Sequence, residues 1–444
     1  MTYKEAMEYI RETAAFGSKL GLDNIRTLMN LLGDPQEELT IIHIAGTNGK
    51  GSVSAYILSI MEQAGYRMGF YTSPELSRFS ERIRINEEEI SDEAVAYYAT
   101  MVRNQAEYMR EHCLGSPSEF ELVLAMAFCF FKDKGVDGVI LEVGLGGRLD
   151  ATNVISRSAL TVITKIGFDH MQYLGDTLEL IASEKAAIIK PCGRVIVYPG
   201  KQEVMEVYEK RCAEQKAELY IAGLPSERKV LRGSPPSRII GQEFVLSGRR
   251  YITAMAGTYE AYNAALAIQA IHLLRKIRCG GKEVFGISDE CIYEGVRLAK
   301  WPGRFEILSF EPMIIVDGAH NEDGAEALAE TVRECFGSRK FILCTGILRD
   351  KQYEKMLSYL LPLSERVIVC EVPNPRSLGA DELAQVIHGM QASNEIIVSD
   401  SPENAYETIK KLQHGSDAAV LICGSLYLVG PMREIILKST QYSS

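Results

Sequence analysis

Apolar residues recur at helical spacing from the start of the chain: Tyr3, Met7 and Ile10, then Ile25, Leu28, Leu31 and Leu32. Side chains three and four apart share one helix face, so the first forty residues predict helices, ending at the breaker Gly33-Asp34-Pro35. The pattern then changes. Ile41-Ile42-His43-Ile44-Ala45 is a short unbroken apolar run, the mark of a strand covered on both faces, with His43 read as core. A second strand is predicted at Met68–Thr72, long helices at Asp92–Glu111 and Glu119–Lys134, strands at Gly138–Val143 and Leu160–Thr164, and a helix at Leu178–Ile189. Strands alternating with helices at this pace predict an α/β fold, a mainly parallel sheet with helices on both faces.

The stretch Pro225–Arg250 mixes Gly, Ser, Pro and Arg with short alternating pieces and predicts antiparallel strands; the helix after Asn263 closes this half. Past Lys300-Trp301-Pro302-Gly303 the rhythm restarts, with apolar runs at 313–316, 341–344, 366–369 and 419–422. The expected domains are residues 1–299 and a smaller Rossmann-like α/β domain at 300–444. Two domains suit a chain of 444 residues.

Composition narrows the function. Net charge of −11 argues against a nucleic-acid partner, which would need a basic face, and any anion site must be a local pocket set against an unfavourable global field. The ten cysteines form no Cys-x-x-Cys pair and the seven histidines are dispersed, so neither a zinc site nor a disulfide framework is suggested. Met1-Thr2-Tyr3-Lys4-Glu5 lacks a signal-peptide core, and the longest apolar run, Leu122–Phe131, is too short for a bilayer. A cytoplasmic protein with no membrane partner is expected.

Candidate chemistry begins directly after the first strand, at Gly46-Thr47-Asn48-Gly49-Lys50-Gly51-Ser52. Strand, tight glycine turn with one lysine, then a helix is how a chain presents backbone N–H groups to a phosphate. The spacing departs from the common Walker loop: Ile44 stands where that loop has its first glycine, and Gly51 intervenes before Ser52. The rival reading is an ordinary glycine-rich turn. Ligands of parallel sheets bind at the carboxyl ends of strands, so polar residues ending apolar runs are the next candidates. Four such endings are Thr72-Ser73-Pro74, Glu142, Asp169-His170 and Asp317-Gly318-Ala319-His320-Asn321. A hydroxyl, a carboxylate and an imidazole beside a phosphate loop could hold Mg²⁺ against triphosphate oxygens. Glu142 reads equally as half of a buried salt bridge, and His170 as a satisfied structural imidazole.

The run Ile42–Ser52 resembles the phosphate loop of the folylpolyglutamate synthase and dihydrofolate synthase family, which belongs to the Mur-type ATP-dependent amide ligases. The resemblance continues, in order, through Leu20-Gly21-Leu22, Leu32–Gln36, Tyr71–Pro74, Glu81-Arg82-Ile83, Glu142–Asn153, Asp169-His170, Glu184-Lys185, Asn263-Ala264-Ala265, Pro302-Gly303-Arg304, Asp317–Asn321 and Gly424–Leu428.

That resemblance implies roles. Gly46, Thr47, Asn48, Gly49, Lys50, Gly51 and Ser52 would hold ATP phosphates, with Asn263, Arg304 and Asp317 as further nucleotide contacts. Ser73, Glu142 and His170, with Ser52, would hold two Mg²⁺ ions, and K⁺ is a further candidate cation. Lys185 matches a lysine that reacts with CO₂ to give a carbamate; without the resemblance it would read as an exposed helix lysine. His320 and Ser425 lie where the family binds glutamate. Ser118, Glu119, Phe120 and Glu121, with Leu149, Asp150 and Ala151, match segments touching the pteridine or aminobenzoate part of the acceptor, although Phe120 reads equally as helix packing. Departures fall at Glu75, Ser118, Leu124 and Ala187.

The implied activity is addition of L-glutamate to 7,8-dihydropteroate and to reduced folates through an acyl phosphate, by a monomer. The alternatives are a monofunctional folylpolyglutamate synthase, a Mur-type ligase for another carboxylate, and a non-catalytic nucleotide switch.

Overall fold

The computed structural model describes residues 1–14, 21–235, 238–279, 282–390, 394–414 and 418–441. Leu20 and residues 236–237 of the Pro225–Arg250 stretch lie outside them. The chain divides into two compact units. The first comprises Met1–Ile166, Tyr173–Gly223 and Ala264–Val296; the second comprises Gly167–Gln172, Leu224–Asn263 and Arg297–Ser444.

The first unit is built on an eight-stranded sheet of β1 (Ile41–Ala45), β2 (Met68–Tyr71), β3 (Ile83–Ile85), β4 (Glu88–Glu89), β5 (Gly138–Glu142), β6 (Leu160–Ile163), β7 (Arg194–Val197) and β8 (Glu218–Ile221). Their order across the sheet is β4-β3-β2-β5-β1-β6-β7-β8. From β2 to β8 every pairing is parallel, whereas β3 and β4 run antiparallel on the edge. β1 is central. Ile42 pairs with Ile140 on one side and Leu160 on the other, and all five β1 residues are buried. Such double coverage explains why β1 and β5 carry apolar side chains without alternation.

Helices Asp92–Glu111 and Glu119–Lys134 fall where their periodicity predicts. Ser91 caps the first, its hydroxyl accepting from the Ala94 N–H. Gly135, left-handed at φ +60°, ends the second. Their apolar faces join Ile25, Leu28 and Met29 of helix Asp23–Leu31 in one core, which includes Phe128 and Phe131. Helix Leu178–Ala186 stops three residues short of the expected end, and Ala187 closes it.

The second unit holds a three-stranded antiparallel sheet, β9 (Ser226–Arg232), β10 (Ile239–Leu246) and β11 (Arg249–Thr253), matching the alternation read in that stretch. A two-stranded ribbon of β12 (Arg278–Cys279) and β13 (Lys282–Glu283) belongs to the first unit. A six-stranded sheet completes the second: β14 (Glu306–Phe310), β15 (Met313–Val316), β16 (Phe341–Thr345), β17 (Ser364–Cys370), β18 (Glu395–Ser399) and β19 (Ala419–Cys423), in the order β14-β15-β19-β16-β17-β18. Only β14 is antiparallel. Ile239 and Ala256 share a core with Leu328, Leu343 and Leu421, so the hairpin region packs with the C-terminal sequence. Among the described residues, no helix is long and apolar enough to cross a membrane.

Helix Lys50–Gln63, which starts at the phosphate loop, is held from behind by Asp289–Leu298. The Ser59 hydroxyl donates to the Gly295 carbonyl at 2.8 Å. A Cβ at Gly295 would fall 2.4 Å from the Ile60 Cα, so only glycine permits this crossing. Gly295→Ala is expected to cost about 1–3 kcal/mol through overpacking. Thermal unfolding checks it; an unchanged midpoint would show that the two helices separate freely.

Candidate active site

In the first unit the phosphate loop follows β1 directly. A Cβ at Gly46 would lie 1.7 Å from Thr164 Oγ1, so the backbone turns against the end of β6 in a way no other residue allows. The N–H groups of Thr47 and Asn48 then donate to the Lys165 carbonyl at 3.0 and 3.3 Å. Gly49, at φ +91°, is the N-cap of helix Lys50–Gln63, which places Lys50, Gly51 and Ser52 in its first turn. The Lys50 ammonium bridges back to the carbonyls of Gly46 and Thr47 at 3.2 and 3.4 Å. The turn therefore joins a helix N-terminus, with its positive potential, to a cation. The Ser52 side chain is buried beside it.

Glu142 ends β5 and is 4% exposed. It accepts a hydrogen bond from the Thr72 hydroxyl just after β2, while the neighbouring Ser73, expected as a metal ligand, is half-buried. β2 and β5 are parallel neighbours, so their carboxyl ends meet. Lys185 is only 5% exposed, which removes its reading as a surface lysine. The preceding Glu184 anchors the loop after β5: its carbonyl accepts from the Arg148 N–H and its carboxylate from Arg148 Nε, each at 2.9 Å.

Residues expected near the acceptor take definite structural parts. Ser118 and Glu121 form a capping box, with Ser118 N–H and Oγ–H donating to Glu121 Oε2 at 2.7 and 2.8 Å. The other oxygen, Glu121 Oε1, is buried without a hydrogen-bond partner, and burial raises this carboxyl's pKa. Glu119 pairs with the buried Arg82 at 2.7 Å. Phe120 meets Tyr71 edge-on at 5.9 Å and lies over Gly144, joining the helix to the loop after β5. In that loop Leu149 is half-buried and Ala151 buried. Asp150 is buried too, accepting from the N–H groups of Leu145 and Thr152 at 2.8 and 2.9 Å. Burial raises its pKa, opposed by these donors.

The second unit gathers charge around Asp169. Its Oδ1 lies 2.5 Å from Lys351 Nζ, and its Oδ2 lies 3.4 Å from His320 Nε2 and accepts from Asn321 Nδ2 at 3.1 Å. Burial works to raise this carboxyl's pKa, but His320, Lys351 and His170 together hold it far below the usual carboxylate range. His320 Nδ1 faces the Gly318 carbonyl at 2.8 Å, which fixes the ring's direction. His170 has a left-handed backbone, φ +51°, and its N–H donates to Asp169 Oδ1.

Asp317 ends β15 and is used from several sides. It accepts from Tyr259 OH, from the Phe305 N–H and from the Ala319 N–H, while burial raises its pKa. Arg304 lies in the adjoining turn, donating to the Gly303 carbonyl at 3.3 Å. Asn263 bonds Glu260 at 3.1 Å. Ser425, buried after β19, accepts from the Tyr427 N–H at 3.2 Å. Lys351 was missed because its partner lies 182 residues away. The usable signal was its place in the loop after β16, a parallel strand.

A nucleotide-type loop on one parallel sheet and a second α/β unit with a polar cluster at its strand ends define a Mur-type ligase. Residues 44–271 match the Mur ligase middle domain, and residues 303–426 match the Mur ligase glutamate ligase domain. The dihydrofolate synthase/folylpolyglutamate synthase of Bacillus subtilis is 36% identical over 436 residues, covering 97% of this chain and 98% of that protein. The Mycobacterium tuberculosis folylpolyglutamate synthase complexed with ADP and AMPPCP superposes with a TM-score of 0.86 at 30% identity, covering 98% of this chain and 99% of that one. An FPGS–AMPPCP–folate complex gives a TM-score of 0.82 at 30% identity, covering 98% and 100%. The chain belongs to the folylpolyglutamate synthase/dihydrofolate synthase family and is an ATP-dependent ligase.

The Asp169–Lys351 pair predicts a measurable loss. Removing one partner of a buried pair strands the other's charge, so Lys351→Met should cost about 3–5 kcal/mol, and Asp169→Asn/Lys351→Met should recover part of it. Because the folded pKa of Asp169 is depressed, its stabilisation is complete above the unfolded value and is lost as pH falls below about 4. Denaturant titrations from pH 7 to 3 should show the wild type losing its advantage over Asp169→Asn. A constant gap would overturn the assignment.

Proposed function

We propose that this chain is a bifunctional dihydrofolate synthase and folylpolyglutamate synthase, joining L-glutamate to 7,8-dihydropteroate and then to tetrahydrofolates at the expense of ATP. The observation that carries the reading is the turn at 46–52, with Lys50 over its carbonyls and Ser52 buried in the first helical turn. A carboxylate is a poor electrophile. In the proposed reaction an acceptor carboxylate oxygen attacks the γ-phosphorus of ATP, and ADP leaves. The α-amine of glutamate then attacks the acyl carbon, loses a proton, and inorganic phosphate departs as the amide forms.

Lys50 and the N-terminus of helix Lys50–Gln63 would offset the repulsion between carboxylate and triphosphate. Arg304, Asn263 and Asp317 are proposed nucleotide contacts, and His320 and Ser425 contacts of the incoming glutamate. Residues 118–121 and 149–151 are the proposed acceptor contacts. The functional division we propose is 1–299 for nucleotide and acceptor and 300–444 for the amino acid.

The hydroxyls of Ser52 and Ser73, the Glu142 carboxylate and the His170 imidazole are the proposed ligands of two Mg²⁺ ions. Hard oxygen donors with one carboxylate suit an ion that keeps waters and phosphate oxygens in its shell. Bound there, Mg²⁺ would neutralise phosphate charge. K⁺ is proposed as a further cation. Lys185, buried in helix Leu178–Ala186, is the proposed carbamate site: its amine, once neutral, would add to CO₂ with loss of a proton. The protein is proposed to act as a cytoplasmic monomer.

Mass spectrometry of products from dihydropteroate and from tetrahydrofolate, each with ATP and glutamate, tests the reading. A glutamate adduct is expected with both. An adduct with tetrahydrofolate alone would leave a monofunctional folylpolyglutamate synthase, and turnover of another acid but neither pterin would overturn the acceptor class. Lys50→Ala should remove ligation by about a hundredfold or more while circular dichroism stays native. Wild-type turnover in this variant would refute the role given to Lys50.

A further inference from the structure

His43 sits in the middle of β1, wholly buried, three residues before the phosphate loop. Burial, with the Lys190 charge nearby, holds its pKa well below the ordinary value, so the ring is neutral. An imidazole in the central strand of a parallel sheet has little reason to be there unless it makes a hydrogen bond. It makes one. Nε2 lies 3.0 Å from Thr152 Oγ1.

The Thr152 hydroxyl donates to Asp150 Oδ1, so its oxygen is free to accept and the bond from the ring must run from Nε2–H. Nδ1 is then the bare acceptor nitrogen, and it is buried without a partner. Asp150 Oδ1 also takes the Thr152 N–H, and its Oδ2 takes the Leu145 N–H at 2.8 Å. An unbroken line of hydrogen bonds therefore runs from β1 through Thr152 and Asp150 to the backbone of the loop that follows β5. The Lys190 ammonium pins the next turn, donating to Asn153 Oδ1 at 2.8 Å and to the carbonyls of Asn153 and Ile155. Every member of this line lies in the first unit.

We propose that His43 and Thr152 are positioning residues that fix the 144–151 loop against the strand carrying the phosphate loop, and so set affinity for the pterin acceptor. The proposal rests on the reading above that Leu149, Asp150 and Ala151 touch that acceptor. Its physical basis is the asymmetry of buried hydrogen bonds. With Thr152 present, Asp150 has a hydroxyl and two N–H donors to offset the cost of burial. Without the hydroxyl, Asp150 loses one donor and His43 Nε2–H is stranded. The loop then relaxes to find water, while the phosphate turn, fixed independently by Gly46 against Thr164 and by the Lys165 carbonyl, keeps its shape.

Two readouts test this on the full chain. Hydrogen exchange at amides 144–152 should speed up by about tenfold in Thr152→Val and in His43→Leu, the effect of losing one buried hydrogen bond. Exchange at 46–52 should stay unchanged. Thr152→Ser and His43→Gln, which restore a hydroxyl and a side-chain N–H, should return the loop to wild-type protection. In kinetics, the Val and Leu variants should raise KM for dihydropteroate by about tenfold with KM for ATP unchanged, and the Ser and Gln variants should reverse the change.

Unchanged exchange at 144–152 would overturn the coupling whatever the substrate. Faster exchange with equal rises in both KM values would overturn the specificity to the acceptor. If the wild type ligates nothing to dihydropteroate, the functional reading fails, and the exchange result still decides the hydrogen-bond line.

Discussion

The close approach of Gly46 to Thr164 is the constraint on which the first unit's site depends. β1 and β6 are hydrogen-bonded neighbours, and the chain leaving β1 has to turn across the end of β6 within a single residue. A side chain at Gly46 would push the turn outward. The Thr47 and Asn48 N–H groups would then miss the Lys165 carbonyl, and helix Lys50–Gln63 would begin elsewhere. The sheet thus determines where the helix N-terminus points. A local positive field in a chain of net charge −11 comes from this placement, because dipole and Lys50 act over a few ångströms and the remote carboxylates are screened.

Local patterns were readable from the sequence, and contacts between distant segments were not. Helices Asp92–Glu111 and Glu119–Lys134 declare themselves because caps and periodicity lie within their own residues. Parallel strands such as β1 and β5 declare themselves as apolar runs because both faces are covered, although β7, parallel and buried at Val195–Val197, was not predicted. Edge strands are the opposite case. β8 and β18 are partly exposed, mix polar with apolar residues, and carry no such mark. β14 passed unnoticed as well, since its antiparallel pairing leaves all five residues half-buried.

The site follows the same rule. The phosphate turn is contiguous, hence legible. Glu142 drew attention as a charge inside an apolar run, but its hydrogen bond with Thr72 depends on the parallel pairing of β2 with β5, which no local pattern shows. Lys185 looked like any helix lysine, since burial is a property of the folded surroundings. Asp150 and His43 were both noticed, one for its resemblance and one as core. Thr152, which connects them, is an ordinary residue in sequence and gains meaning from the packing of β1 beneath that turn.

Three buried aspartates show how the fold separates scaffolding from charge. Asp150 and Asp317 sit among N–H and O–H donors, and burial pushes both carboxyls up. They are braces: each bonds its own neighbours two residues on, Thr152 and Ala319, and ties in a second segment through Leu145 or Phe305. Asp169 instead faces Lys351 and His320, and these neighbours pull it down despite its burial. At Asp150 the donors, and at Asp317 the donors with the nearby Arg304, only partly offset burial, whereas at Asp169 Lys351 and the two imidazoles outweigh it. The braces therefore belong where the backbone must keep one shape. The charged cluster instead joins the segment carrying Asp169 to the loops after β15 and β16, which carry His320 and Lys351.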